Sequence, residues 1–109
     1  MADTFKSTFG TRIADTNTTI LTAGSSPLVL KQLRLTNTST GNVNGYVWIA
    51  PNGTTVADDD QYCFYVSMGD RDTIYIPLND KLETSGDFIS AKMNTTNVVN
   101  AVLSYIEEE

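Results

Sequence analysis

Short apolar runs separated by turn-like clusters recur about every ten residues, and no segment sustains a helical period, which is the pattern of an antiparallel sandwich or barrel. The pattern predicts an all-β chain, a single small antiparallel β-sandwich of jelly-roll or Ig-like type with about seven to eight strands. Leu28 and Leu30 share one parity, whereas Leu33 and Leu35 share the other. A single inward face across all four requires one extra residue near Lys31-Gln32, so a β-bulge is predicted there. Val43, Val47 and Ile49 alternate with Tyr46 and Trp48. Tyr62, Phe64, Val66 and Met68 alternate with Cys63, Tyr65 and Ser67. Ile74, Ile76 and Leu78 point inward with Tyr75 outward, and Pro77 marks an edge or an end because it donates no ladder hydrogen bond.

The two ends of the chain read differently. Phe5, Phe9 and Ile13 share one parity, so residues 1–13 are either a first strand with these three on its inner face or an arm packed on a neighbour. Residues 14–106 form the sandwich. The last strand is apolar on both faces, with Val99, Ala101, Leu103 and Tyr105 on one and Val98, Val102 and Ile106 on the other. Such a strand is either covered twice or faces a partner subunit. Residues 107–109 form an acidic tail expected to end in solvent.

Composition narrows the function. The 109 residues fit one domain, and 40% hydrophobic with 18% charged residues suffices for a core. Thr, Ser and Asn make up nearly a third of the chain, which suits strands and turns. The net charge of −6 disfavours nucleic acid. No signal-peptide region and no stretch of membrane-spanning length is present, so synthesis in a cytoplasm without membrane insertion is expected. The N-x-S/T sequences at Asn17, Asn37, Asn52 and Asn94 carry little weight in a chain so rich in Asn and Thr.

Candidate chemistry is sparse. The chain has no histidine, which removes Ser-His-Asp triads, Cys-His dyads and most zinc sites. Its one cysteine, Cys63, lies in an apolar run and reads as a small packing residue. The acids fall in turns and at the terminus, so no catalytic residues, no cofactor and no metal are assigned, and the protein is not expected to be an enzyme. The run Asp58-Asp59-Asp60 offers oxygen ligands for a divalent ion but matches no EF-hand, and a solvated loop is the expected role. The aromatic residues Tyr46, Trp48, Tyr65 and Tyr75 lie opposite the aliphatic residues of their own strands. If those strands are neighbours, the rings form an outer patch, a subunit contact or a sugar platform. The competing assignment makes Trp48 the core tryptophan. With Phe5 and Phe9 at the N-terminus, these six residues are the candidate interaction surface.

Two stretches carry a family resemblance. One is Leu28-Val29-Leu30-Lys31-Gln32-Leu33-Arg34-Leu35-Thr36-Asn37-Thr38. The other spans Ile74 to Glu107 and includes Ile-Tyr-Ile-Pro-Leu at 74–78, Lys81-Leu82, Gly86-Asp87-Phe88-Ile89-Ser90-Ala91 and the final run Val98 to Glu107. Their order is similar to small virion accessory proteins of tailed bacteriophages, a group with capsid decoration (cement) proteins and neck, tail or fibre modules. Val56 to Met68 matches nothing in that group. The resemblance implies a virion structural protein made in the host bacterial cytoplasm. It also implies contact with the major capsid protein or other virion proteins, often as a homo-oligomer, with a trimer favoured. The expected function is capsid decoration. The alternatives are a neck, tail or fibre-associated virion protein and a carbohydrate-binding β-sandwich module.

Overall fold

The computed structural model describes residues 3–58 and 60–108. Nine strands follow one another, with no helix among the described residues: β1 (Thr4–Ile13), β2 (Thr18–Thr22), β3 (Leu28–Asn37), β4 (Val43–Ala50), β5 (Cys63–Met68), β6 (Thr73–Pro77), β7 (Lys81–Leu82), β8 (Phe88–Met93) and β9 (Val99–Glu107). They form two antiparallel sheets. Sheet A runs β1-β9-β3-β6, with the two-residue β7 also paired to β3, and sheet B runs β2-β8-β4-β5. Consecutive strands alternate between the sheets except at β4–β5 and β6–β7. With β7 set aside, this is the order of an eight-stranded jelly roll, and it decides against an Ig-like arrangement.

Period-two alternation builds the core. Leu28, Leu30, Leu33 and Leu35 are all buried, and the β3–β9 register shifts between Leu30 and Gln32, which places the expected bulge at Lys31. Val99, Ala101 and Leu103 of the neighbouring β9 extend this inner face, and Val43 and Val47 of β4, Val66 and Met68 of β5, and Ile89, Ala91 and Met93 of β8 meet it from across the sandwich. Leu78 and Leu82 seal the core beside the edge strand β6, which ends at Pro77. At Gly45 the two central strands of sheet B approach so closely that a Cβ would strike the Lys92 carbonyl and the Met93 side chain.

β1 corrects the expectation for the N-terminus. Residues 4–13 are an integral edge strand paired to β9. Ile13 is buried, but Phe5 and Phe9 are not on the inner face: they are 66% and 78% exposed. The cause is a second bulge. The register shifts between Thr8 and Thr11 at Gly10, whose φ of 74° suits glycine. The extra residue reverses the phase, so Phe5 and Phe9 face out while Ile13 faces in. The acidic end is also more ordered than a solvated tail. Glu107 belongs to β9 and pairs with Lys6 at 3.1 Å, and Glu108 pairs with Lys81 at 2.8 Å. Glu109 lies outside the described residues.

One end of the sandwich is closed by Asn37, which is fully buried. Its Nδ2 donates to the carbonyls of Gly41 and Gly69, both at 2.8 Å. Its Oδ1 accepts from the Ser39 N–H at 2.9 Å and the Ser39 hydroxyl at 2.7 Å. Four bonds satisfy a buried amide that would otherwise be costly. They also join the β3–β4 loop to the β5–β6 turn, and they leave no room for a glycan at Asn37.

Candidate functional site

The six candidate aromatics do not form one surface. They divide between the outer faces of the two sheets, because β6 and β1 belong to sheet A whereas β4 and β5 belong to sheet B.

On sheet B, cross-strand register sets Lys92, Tyr46 and Tyr65 side by side, with Ser90, Trp48 and Cys63 in the next row. Tyr46 and Tyr65 meet edge to face at 5.6 Å between centroids, and Tyr46 lies 6.0 Å from Trp48. The expected cluster of Tyr46, Trp48 and Tyr65 is therefore present, but Trp48 is not an exposed platform. It has the outward parity and is only 1% exposed, because the connection between β4 and β5, described at residues 51–58 and 60–62, folds back over it through Ala57. Its Nε1 donates to the Ala57 carbonyl at 2.9 Å, which gives the buried indole N–H the acceptor it needs. Neither an inward core position nor an outer platform describes it.

The covering loop is organised by its own acids. The Asp60 carboxylate accepts the backbone N–H groups of Ala57 at 3.0 Å and Tyr62 at 2.8 Å. Asp58 pairs with Lys92 at 2.8 Å, and the Cys63 thiol lies 3.4 Å from the Asp58 carbonyl. Asp59 lies outside the described residues. Both described carboxylates of the run are thus engaged in holding the loop. No group of three or more Asp, Glu or Cys side chains is placed to hold a metal among the described residues.

Beside the loop, sheet B carries an open cleft of about 420 Å³. Tyr46 and Tyr65 form one wall, and Asp15, Asp58, Lys92, Asn44 and Asn94 surround it. Asp15 comes from the β1–β2 connection, and Asn94 from the turn after β8. Sequence reading singled out the two tyrosines and Asp58. The remaining polar residues come from the β1–β2 connection, from β4, and from β8 with the turn after it, and they meet through the pairing of β4 with β8 and the bond from the Met93 N–H to the Ala14 carbonyl.

The outer face of sheet A is different. Phe5 pairs with Ile106, which pairs with Val29 on the next strand. Val102 pairs with Arg34, which pairs with Tyr75, and Arg12 pairs with Asn100, which pairs with Thr36. Phe9 projects from the β1 bulge over a shallow hollow lined by Arg12, Arg34 and Val102. Tyr75 is 61% exposed and does not join the sheet B rings. The outward residues of β9, Val102 and Ile106, are half-buried. Arg12 donates to the Asn97 carbonyl at 2.8 Å, and neither Arg12 nor Arg34 has a carboxylate partner among the described residues. Their guanidinium groups stand on an apolar face of a chain whose net charge is −6.

Lys81, at the margin of sheet A, has a clear shift in proton affinity. Its hydrogen bond to Glu108 raises it above the ordinary lysine value, and the charges of Glu108, Glu83 and Asp3 act in the same direction. No protein-family model matches this chain, and no curated protein is similar to it.

Proposed function

We propose that this protein is a structural component of a bacteriophage virion that decorates the capsid and stabilises it through the outer face of sheet A. The observation that carries the reading is the outer face of that sheet, where Phe5, Phe9 and Tyr75 are exposed beside the half-buried Val29, Val102 and Ile106, in two apolar rows with Ser7, Ser104 and Gln32 between them. Exposed aromatic rings beside apolar side chains mark a contact with another macromolecule. Aromatic and arginine side chains together are the composition of an energetic centre in such a contact.

Charge selects the occupant. A second copy meeting this face with its own would bring Arg12 and Arg34 against like charges. A capsid protein surface presenting carboxylates around an apolar centre fits both features. The jelly-roll order recurs in viral capsid domains, and the two resembling stretches span β3, the edge strand β6, and β7 to β9, which include most of this face. A symmetric trimer at local three-fold positions is the assembly that the resemblance implies. The reading assigns no catalytic step to the chain.

Quantitative mass spectrometry of purified particles tests the proposal. Copy numbers in the hundreds support capsid decoration. About a dozen copies or fewer move the protein to the neck, tail or a fibre, and absence from the particle contradicts both virion readings. Sedimentation of the purified chain tests the trimer.

A further inference from the structure

We infer that the cleft on the outer face of sheet B binds a neutral saccharide. The inference does not depend on the virion reading, because the cleft and the proposed docking face lie on opposite sheets.

The cleft combines an aromatic wall with polar groups left open. Tyr65 is 58% exposed, and its ring meets Tyr46 edge to face at 5.6 Å. The apolar C–H face of a pyranose lies flat on a ring held in this way, because the ring is fixed by its neighbour and loses little freedom on binding. Around the rings stand groups that match a hydroxyl rim. The Asp15 carboxylate has no hydrogen bond or ion pair among the described residues and is free to accept from two neighbouring hydroxyls.

Asn44 and Asn94 are oriented by bonds to their side-chain oxygens. Ser67 donates to Asn44 Oδ1 at 2.9 Å, and the Asn44 N–H donates to Asn94 Oδ1 at 3.1 Å. Both amide NH2 groups remain available as donors. Lys92 is held by Asp58 at 2.8 Å and sits 6.0 Å from the centre of the Tyr46 ring, which completes a mixed donor and acceptor set.

Size and charge restrict the ligand. About 420 Å³ lies in the range of roughly 300–1,000 Å³ for small-molecule clefts. Two carboxylates, Asp15 and Asp58, oppose one ammonium, Lys92, so phosphate, sulfate and acidic sugars meet net repulsion. The buried Trp48 stands beside Tyr46 in the next row, 6.0 Å away and under the covering loop, and so flanks the wall without lining the cleft.

The test titrates the full-length protein with a panel of free neutral sugars: glucose, galactose, mannose, N-acetylglucosamine and N-acetylgalactosamine, with a short oligomer of each. The indole N–H signal of Trp48, the only tryptophan, serves as an NMR reporter. Saturable binding of at least one sugar is expected, with a dissociation constant on the order of 1 mM for a monosaccharide. Tyr65→Ala and Asp15→Asn change exposed side chains and are each expected to weaken it about tenfold. Phe9→Ser, on the opposite sheet, is expected to leave it unchanged. No saturable binding across the panel, or undiminished affinity in both Tyr65→Ala and Asp15→Asn, overturns the inference and leaves the docking reading of sheet A intact.

Discussion

The outer faces of the two sheets treat their aromatic residues in opposite ways. Sheet B covers its largest ring with a loop from its own chain, donates the indole N–H to that loop, and leaves a cleft beside it. Sheet A leaves Phe5, Phe9 and Tyr75 uncovered and adds two arginines without carboxylate partners among the described residues. An outward aromatic therefore has no fixed meaning in a sandwich. Where the chain supplies its own cover, the ring supports the fold. Where it does not, the ring is available to something else.

The largest effect should come from removing the ring that supports the fold. Trp48→Ala is expected to cost about 3–5 kcal/mol in urea denaturation, with loss of hydrogen-exchange protection across residues 51–62. A change below about 1 kcal/mol would mean that the loop does not depend on the indole, and the contrast between the faces would fail. Asn37→Ala belongs to neither face and serves as a reference. It removes four hydrogen bonds, to the carbonyls of Gly41 and Gly69 and from Ser39, that join the β3–β4 loop to the β5–β6 turn, and a loss of about 2–3 kcal/mol is expected.

On sheet A, the double variant Phe9→Ser with Tyr75→Ser should change the stability of the isolated protein by no more than about 0.5 kcal/mol per site. Its occupancy on purified particles should fall about tenfold or more, as for residues at the centre of an interface. Equal loss of folding and attachment would show that these rings support the fold after all. Arg34→Glu should slow particle association and reverse its salt dependence, with stability again nearly unchanged.

The smallest effect concerns the margin of sheet A. Lys81 has its proton affinity raised in the fold by Glu108, so the protonated ammonium is the stabilising form. Its contribution is fully present below the ordinary value of 10.5 and is lost as pH rises through the higher folded value. Lys81→Met should therefore shift the melting temperature slightly at pH 8, and that difference should vanish at more alkaline pH. A difference that persists there would assign the effect to packing of the lysine stem.

Much of the fold was legible in the alternation of apolar residues. The bulge at Lys31 followed from the broken parity of four leucines, and the edge position of β6 followed from Pro77. The phase of β1 was misread because Phe5, Phe9 and Ile13 are evenly spaced. The signal that corrects it is Gly10, a glycine inside a strand pattern, which marks a bulge. The burial of Trp48 was not readable from parity, since alternation says which way a side chain points and nothing about a loop returning over it. The long polar connection after Ala50 was the available hint. The division of the aromatics between two sheets was also hidden, because it depends on strand order, which sequence spacing does not encode. The cleft was hidden for the same reason: Asn44 and Lys92 become neighbours through the pairing of β8 with β4, and Asp15 joins them because the Met93 N–H donates to the Ala14 carbonyl of the β1–β2 connection.

The central claim is that sheet A is the face covered by a partner in the virion. A density map of the purified particle tests it most directly. The account predicts that the outer surface of β1, β9, β3 and β6 rests on capsid protein, with Phe9 and Tyr75 enclosed and the Tyr46–Tyr65 cleft facing solvent. A particle that lacks the chain, or one that holds it with the outer face of sheet A turned to solvent, would contradict the account.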